Sequence, residues 1–197
     1  IEKLRALSFF EDSILQNIFL PDLMAIESWD PLTNTIIYDK KKYDAKDEIW
    51  VRKPIFPYGS IPSAQESFIE FKKRFSVSRN PETGFINIYV DHHSPYIANE
   101  WVDLIIKSIN ATIRESERKI AMISIDYLYD QMSKTTFSEI KQALAQLIQA
   151  EVQKLALIEA NPDYVFRIID PAFIPELKNS PRRALISIVG ALLGLVL

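Results

Sequence analysis

Two adjacent histidines, His92 and His93, are the residues of this chain best suited to chemistry; Asp91 precedes them and Glu100 follows closely. Imidazole and carboxylate groups are ordinary zinc ligands and can also act as an acid–base pair in hydrolysis. The pattern lacks a second motif such as H-E-x-x-H, and adjacent residues of a strand point to opposite faces. The sequence therefore predicts a polar strand end with no catalytic, cofactor or metal site. A hydrolase or metal enzyme centred on the two histidines is the disfavoured alternative.

A stripe of uncharged amides is the second candidate. Four glutamines follow one another at steps of four, three and four residues, which places them on one face of a helix: Gln142, Gln146, Gln149 and Gln153. Such a stripe suits an oligomer interface or a lumen, where amides contact the hydroxyl groups of a glycan. A helix side that faces only solvent explains the same pattern, so both interpretations stay open here.

Composition narrows the function class. The 197 residues carry a net charge of −3, with 48% hydrophobic and 25% charged residues, which is typical of a globular body. Scattered basic residues and mild acidity give no footprint for nucleic acid. The absence of cysteine excludes disulfides, thiolate zinc sites and cysteine nucleophiles. Because the sequence begins with Ile1 and shows no leader, we expect a chain trimmed at its N-terminus.

Residues 1–94 predict the first part of a small α/β base. Period-two segments predict strands, helical spacing and capping boxes predict helices, and Pro and Gly mark the turns. The predicted elements are a helix over 2–19 ended by Pro21, a strand over 35–38, a helix over 63–74 with a Ser63–Glu66 capping box, and strands over 75–78 and 85–91 around a turn at 80–84.

Residues 95–160 predict a long helical excursion, since no Pro or Gly interrupts them after Pro95. A single straight helix would extend roughly 100 Å and would carry the predicted strand over 164–170 away from any partner. A hairpin with a break near 131–138, arms of about 35 and 25 residues and a capping box at Thr136–Glu139 avoids this. Two apolar series are assigned to its buried faces: Trp101, Leu104, Ile105, Ile109 and Ile113, then Ile140, Leu144, Leu147, Ile148, Leu155 and Ile158. Residues 161–172 then form a returning base strand.

The C-terminal residues predict a membrane attachment. A Pro-containing connector over 173–183, preceded by Pro171, includes Pro175, Pro181, Arg182 and Arg183. Residues 184–197 are apolar without interruption, which predicts the start of a transmembrane helix, although a buried C-terminal helix is the alternative. Gly190 and Gly194 have the small-xxx-small spacing that lets membrane helices approach closely. The predicted fold is α+β: a small mixed base, a long projecting helical hairpin and a C-terminal transmembrane helix.

Several motifs in this order resemble one family. They are Trp29-Asp30, the TGFINI strand from Thr83, the Ser94-Pro95 helix start, the FRIIDPAFIP segment from Phe166 and the SPRRALI segment from Ser180. The combination resembles the Wzz chain-length determinants, the polysaccharide co-polymerases of the bacterial inner membrane. The resemblance is densest over Phe166 to Leu197 and looser over Glu2 to Ile106.

The resemblance implies two membrane spans around a periplasmic domain, which holds most of this chain. It also implies a homo-oligomeric ring or bell that controls the length of a lipid-linked polysaccharide, such as O-antigen, made by a Wzy-type polymerase, with no catalysis and no cofactor. The helical excursion is shorter than in the longest members, which implies a shorter bell. A membrane-anchored periplasmic scaffold or export adaptor is the alternative function.

The membrane orientation has two interpretations. The positive-inside tendency alone would place Lys178, Arg182 and Arg183 in the cytoplasm. The resemblance places them on the periplasmic side, and we follow the resemblance.

Overall fold

The structure, a computed structural model, describes residues 1–174. The predicted transmembrane helix over 184–197 and most of the connector lie outside the described residues, together with Pro175, Pro181, Arg182, Arg183, Gly190 and Gly194. Pro171 lies within them, in an exposed irregular segment. No helix in residues 1–174 is both long and apolar enough to cross a bilayer.

Six short strands form three separate antiparallel pairs. Their bounds are Ile26–Asp30 (β1), Thr35–Tyr38 (β2), Tyr43–Asp44 (β3), Ile49–Trp50 (β4), Phe75–Arg79 (β5) and Ile86–Val90 (β6). The strands predicted over 35–38, 75–78 and 85–91 are confirmed to within one residue at each end. The turn between β5 and β6 forms because Gly84 adopts a φ of 74° and the Asn80 side chain accepts two backbone hydrogen bonds. With the helices, these strands confirm an α+β fold.

The N-terminal residues are helical but do not form the single helix predicted over 2–19. The chain makes short turns instead: Glu2–Arg5, the α-helical turn α1 at Leu7–Phe9, a π-helical turn at Phe10–Ile14 and Leu15–Asn17. Ala6 is extended, which interrupts the helical backbone after the first turn, and the π-helical turn at Phe10–Ile14 interrupts the regular α-helix again. Pro21 does not end this segment, because it lies in the first turn of the next helix, α2 (Leu20–Met24).

Helix α3 (Ala64–Arg74) begins where the capping box predicts. Ser63 is its N-cap, and the Ser63 Oγ accepts a hydrogen bond from the Glu66 N–H at 3.2 Å. Phe71, on its buried face, lies with its ring centroid 4.8 Å from that of Phe10 and 5.2 Å from that of Phe75. These rings form the centre of the base core.

The predicted helical hairpin is present. Helix α4 (Pro95–Lys134) has 40 residues and helix α5 (Ser138–Ala160) has 23, so they extend about 60 Å and 35 Å. The break at 135–137 falls within the predicted range, but the Thr136–Glu139 capping box does not form. Phe137 is the N-cap of α5, so Thr136 lies one residue too early for its hydroxyl to cap the helix.

The segment after α5 returns to α4 without forming the strand predicted at 164–170. Asn110, which is 4% exposed, takes the place of a strand partner. Its Oδ1 accepts hydrogen bonds from the N–H groups of Val165 at 3.3 Å and Phe166 at 2.8 Å, and its Nδ2 donates to the Phe166 carbonyl at 3.0 Å. Because one side chain satisfies these backbone groups, no ladder is needed to hold Phe166 against the base core.

Replacing Asn110 with Ala should release this returning segment. Three backbone groups lose their partner, and leaving buried polar groups unpaired costs about 2 kcal/mol, so amide exchange at 165–166 should accelerate roughly 30-fold. Hydrogen exchange of the full chain, followed by mass spectrometry, measures this change. Asn17→Ala, which removes one exposed side-chain hydrogen bond, is the control and should leave this segment unchanged. Equal protection in both variants would show that Asn110 does not hold the segment.

Candidate self-assembly surface

Opposite faces of helix α4 contact two different parts of the chain, the base and helix α5. The first half of α4 buries Trp101, Ile105 and Ile109 in the base core. Farther along, Ala121 is fully buried where α5 covers the other side of α4. At about 3.6 residues per turn, positions at steps of three or four share a face, and positions two apart lie on nearly opposite sides.

Ion pairs fix α5 against the distal half of α4. Lys154 Nζ lies 2.7 Å from Glu117 Oε2, and Arg118 Nε lies 3.9 Å from Glu159 Oε1. The hydrogen bond to Glu117 raises the pKa of Lys154. Ile148 and Ile158 of α5 are buried at the same contact. The hairpin is therefore a paired rod with a defined inner face.

The base-facing stripe of α4 continues beyond the base and is left uncovered there. After Trp101, Ile105, Ile109 and Ile113, the same helical face continues with Ile120, Ile123 and Tyr127. These last three residues are exposed, with Ile123 at 59%. Ile123 lies two residues from Ala121, so α5 cannot reach this face. We call Ile120, Ile123 and Tyr127 the distal stripe.

A second exposed edge lies on the other side of α4. Met122 and Tyr129 are seven residues apart, hence on one face, and both are exposed. They lie away from both the distal stripe and α5. A two-helix hairpin can bury only one face of each helix, so the apolar side chains of the distal stripe and of this edge are available for contacts outside the chain. The sequence prediction did not single out these residues, although the spacing of Ile120, Ile123 and Tyr127 carried the signal.

The predicted glutamine stripe lies on the outer face of α5. Gln142, Gln146, Gln149 and Gln153 are all exposed. Gln146 is two residues from the buried Ile148, so the stripe faces away from α4. The assignment of the apolar series to the hairpin core is wrong for Ile140 and Leu147, which are exposed, since the narrow contact with α4 covers only about one residue per helical turn.

His92 is a structural residue at the start of α4. Its Nδ1 accepts a hydrogen bond from the Ser94 N–H at 3.0 Å, so Nε2 carries the proton and donates to the Asp22 carbonyl at 3.0 Å. Burial, followed by repulsion from Arg74 and His93, lowers the pKa of His92 to about 4 despite these backbone contacts. The ring of His93 is perpendicular to that of His92, with centroids 6.3 Å apart.

Asp22, whose carbonyl His92 contacts, also uses its carboxylate for structure. Its Oδ1 accepts a hydrogen bond from the Tyr38 hydroxyl, and burial raises the pKa of Asp22. In residues 1–174 no three His, Cys, Asp or Glu side chains converge as a metal site would require. The two ring nitrogens of His92 contact the backbone of Asp22 in α2 and of Ser94 at the N-cap of α4, so His92 links these two helices.

No protein-family model matches this sequence, and no curated protein is significantly similar to it. The resemblance described above therefore stays a prediction carried by the motifs themselves. The uncovered faces of the hairpin are the feature of the described structure that most needs a functional explanation.

Introducing a charge into the distal stripe should prevent self-assembly. Ile123→Glu places a carboxylate where an apolar side chain would be covered, and burying that charge unpaired is strongly unfavourable. By light scattering corrected for detergent, the full wild-type chain should have the mass of a large defined oligomer, and Ile123→Glu should have the mass of a smaller species. Leu32→Glu makes the same kind of change at an exposed turn of the base and should leave the mass unchanged. An oligomer of unaltered mass in Ile123→Glu would exclude the distal stripe as the contact.

The stability of the base should depend on pH through His92. Its pKa is about 4 in the folded chain and about 6.5 unfolded, so the unfolded state takes up the proton first. The stabilisation is complete above pH 6.5 and is lost as the pH falls towards 4, by at most about 3 kcal/mol. A cation at the N-terminus of α4 would also oppose the helix dipole.

The comparison that isolates this effect is the free energy of unfolding of wild type and His92→Gln between pH 7 and 4. The variant retains a donor and an acceptor but does not titrate, so its stability should fall less steeply. Asp22 and the other carboxylates titrate in both chains and cancel. NMR titration of the imidazole should give a pKa near 4; a value near 6.5 would contradict the assignment.

Proposed function

We propose that this protein is a non-enzymatic, oligomeric co-polymerase that sets the chain length of a surface polysaccharide. The polysaccharide is O-antigen or a related lipopolysaccharide or exopolysaccharide, and the partner is a Wzy-type polymerase of the bacterial inner membrane. The observation that carries the proposal is the distal stripe: a rigid hairpin, fixed to a base at one end, exposes apolar faces that another copy can cover. The order of the sequence motifs from Trp29 to the C-terminus, which resembles that of the Wzz chain-length determinants, supports the same proposal.

Assembly follows from the arrangement of the exposed faces. The distal stripe and the Met122–Tyr129 edge consist of different residues and lie on different sides of α4. Packing the first against the second of a neighbour is a head-to-tail contact, and such contacts close into rings when the rotation permits. Each hairpin extends about 60 Å beyond the point where α4 begins, so the copies form a wall around a central space.

The glutamine stripe then runs along one surface of that wall. Uncharged amides donate and accept hydrogen bonds, as sugar hydroxyl groups do, without attracting or repelling a charged polymer. Gln142 to Gln153 offer such groups in a row along α5, where a growing glycan can lie transiently. The proposed role requires no catalysis by this chain, because polymerisation belongs to the polymerase and this chain contributes a scaffold of defined size.

The predicted C-terminal span gives the ring its contact with the polymerase. Gly190 and Gly194 would provide the close helix approach, either to neighbouring copies or to the polymerase. In this arrangement the wall, the span and the polymerase form one assembly, and polymer length depends on how long the polymerase stays engaged.

The test is the polymer-length distribution in a strain whose own length regulator is deleted. The full chain should restore a narrow distribution, while Ile123→Glu should give an unregulated one because the wall cannot assemble. Leu32→Glu should behave as wild type. Gel electrophoresis of the extracted polysaccharide resolves the three outcomes.

Two results would decide against length control. An unaltered distribution from a wild-type chain that inserts and assembles would favour the scaffold or export adaptor. A narrow distribution from a monomeric Ile123→Glu chain would show that assembly along the distal stripe is not required.

A further inference from the structure

An exposed apolar turn projects from the loop between β4 and α3. Ile55 and Tyr58 close the turn with two backbone hydrogen bonds, from the Ile55 N–H to the Tyr58 carbonyl at 3.0 Å and from the Tyr58 N–H to the Ile55 carbonyl at 2.7 Å. Phe56 lies at the tip and is 98% exposed, and Ile55 beside it is 73% exposed. Ile61, a few residues later, is exposed as well. An apolar tip this free of intramolecular contacts indicates a partner outside the chain.

The turn is held in place from its base. The Arg52 Nε donates to the Ser60 carbonyl at 2.8 Å, which ties the two ends of the loop together. The Arg52 guanidinium also forms a two-pronged ion pair with Glu66 of α3, and both side chains are largely buried. Phe56 is therefore presented on a fixed support, so little ordering is needed when it docks.

A cavity with more basic than acidic groups lies beside the turn. It has a volume of about 400 Å³ and lies between α2, α3 and the loop. Its charged lining residues are Lys42, Arg52, Lys53 and Arg74, together with Glu66 and Glu70. Arg74 Nε is buried and lacks a hydrogen-bond partner within residues 1–174, while its Nη2 makes only a 3.4 Å contact with Glu70. Lys73 contacts Glu70 more closely, at 2.8 Å. Glu70 thus balances the charge of Arg74, and the donors available on the side of the cavity next to the turn are those of Lys53.

The charge of the loop differs in sign from that of the whole chain. Residues 51–62 include Arg52 and Lys53 and no acidic residue, whereas the chain carries a net charge of −3. Arg52 pairs with Glu66 and Arg74 with Glu70, and Lys42 lies 4.0 Å from Asp39. Within residues 1–174, Lys53 forms no ion pair, so the available positive charge lies with Lys53 and with the weakly paired Lys42. An apolar tip with a cationic rim is complementary to a layer of anionic groups above an apolar interior.

We infer that the turn at Phe56 and the basic cavity beside it form a docking site for an anionic lipid surface. Phe56 and Ile55 enter the boundary of the acyl chains, and Lys53 and Lys42 bind lipid phosphates. This contact is separate from the predicted C-terminal span, and it does not rest on control of polymer length.

The size of the tip favours lipid over a protein partner. A Phe side chain buries roughly 150–250 Å², so Ile55, Phe56 and Ile61 together offer about 500 Å². A stable protein interface buries about 800 Å² on each partner, over a flatter surface. A small convex tip with a cationic rim suits insertion into a fluid surface, where neighbouring area is not required.

The absence of cysteine allows a direct test. In Phe56→Cys, an environment-sensitive fluorophore attached to the full chain replaces the phenyl ring at a position that makes no packing contacts. The matched control is Phe137→Cys, because Phe137 is 66% exposed and lies at the end of the hairpin that is farthest from the base. Vesicles contain phosphatidylcholine alone or with phosphatidylglycerol, and a quencher on the lipid acyl chains reports direct contact.

With anionic vesicles, the probe at position 56 should shift to shorter wavelength and lose at least half of its emission to the quencher, and the probe at 137 should not change. Lys42→Gln with Lys53→Gln should weaken the quenching at 56 at least threefold. Equal quenching at positions 56 and 137 would overturn the proposal. So would quenching at position 56 that is unchanged when Lys42 and Lys53 are both replaced by Gln. A blue shift without lipid quenching would assign the turn to a protein contact instead.

Discussion

The burial of the first turns of α4 in the base core is the interaction on which the rest of the structure depends. Trp101, Ile105 and Ile109 pack among the rings of Phe10 and Phe71, and all five side chains are almost completely buried. Because an α-helix is stiff, fixing its first turns also fixes the direction of the remaining residues up to Lys134. The returning segment is a further contact between the hairpin and the base, and Asn110 holds it to the same helix. Base, rod and return therefore form one unit through α4.

This helix carries apolar residues on opposite sides, and the two sides are covered by different partners. The base covers the face of Trp101 to Ile109, and α5 covers the face of Ala121. The base is short compared with the 40-residue helix, so the first stripe continues past it. Apolar residues at helical spacing on that uncovered length cost solubility unless another molecule covers them, which is why we propose that another copy of the chain covers the distal stripe.

Sequence reasoning succeeded where the signal is local. The break between α4 and α5 follows from the Thr-rich segment in a stretch without Pro or Gly, and the β5–β6 turn follows from Asn80 and Gly84. It failed where tertiary contacts decide. Phe9 and Phe10 are both buried, and the return to Phe166 is fixed by one asparagine side chain from a residue far away in the chain. For the candidate site, the spacing of the four glutamines correctly predicts that they lie on one face of α5, and this face is exposed. Ile140 and Leu147 were assigned to the core because periodicity shows that a face is apolar without showing what covers it.

The two proposed surfaces constrain each other. A head-to-tail contact along α4 sets the rotation between neighbouring copies, and closure requires that every copy have the same tilt. A predicted membrane helix by itself leaves the tilt of the base weakly determined, since tilt is set by neighbouring helices and interfacial anchors. The lipid contact proposed at Phe56 would be such an anchor, on a support fixed by the Arg52–Glu66 pair. The span and the lipid contact together would hold the base at one angle to the bilayer. The rod then follows that angle, because Trp101, Ile105 and Ile109 fix α4 to the base.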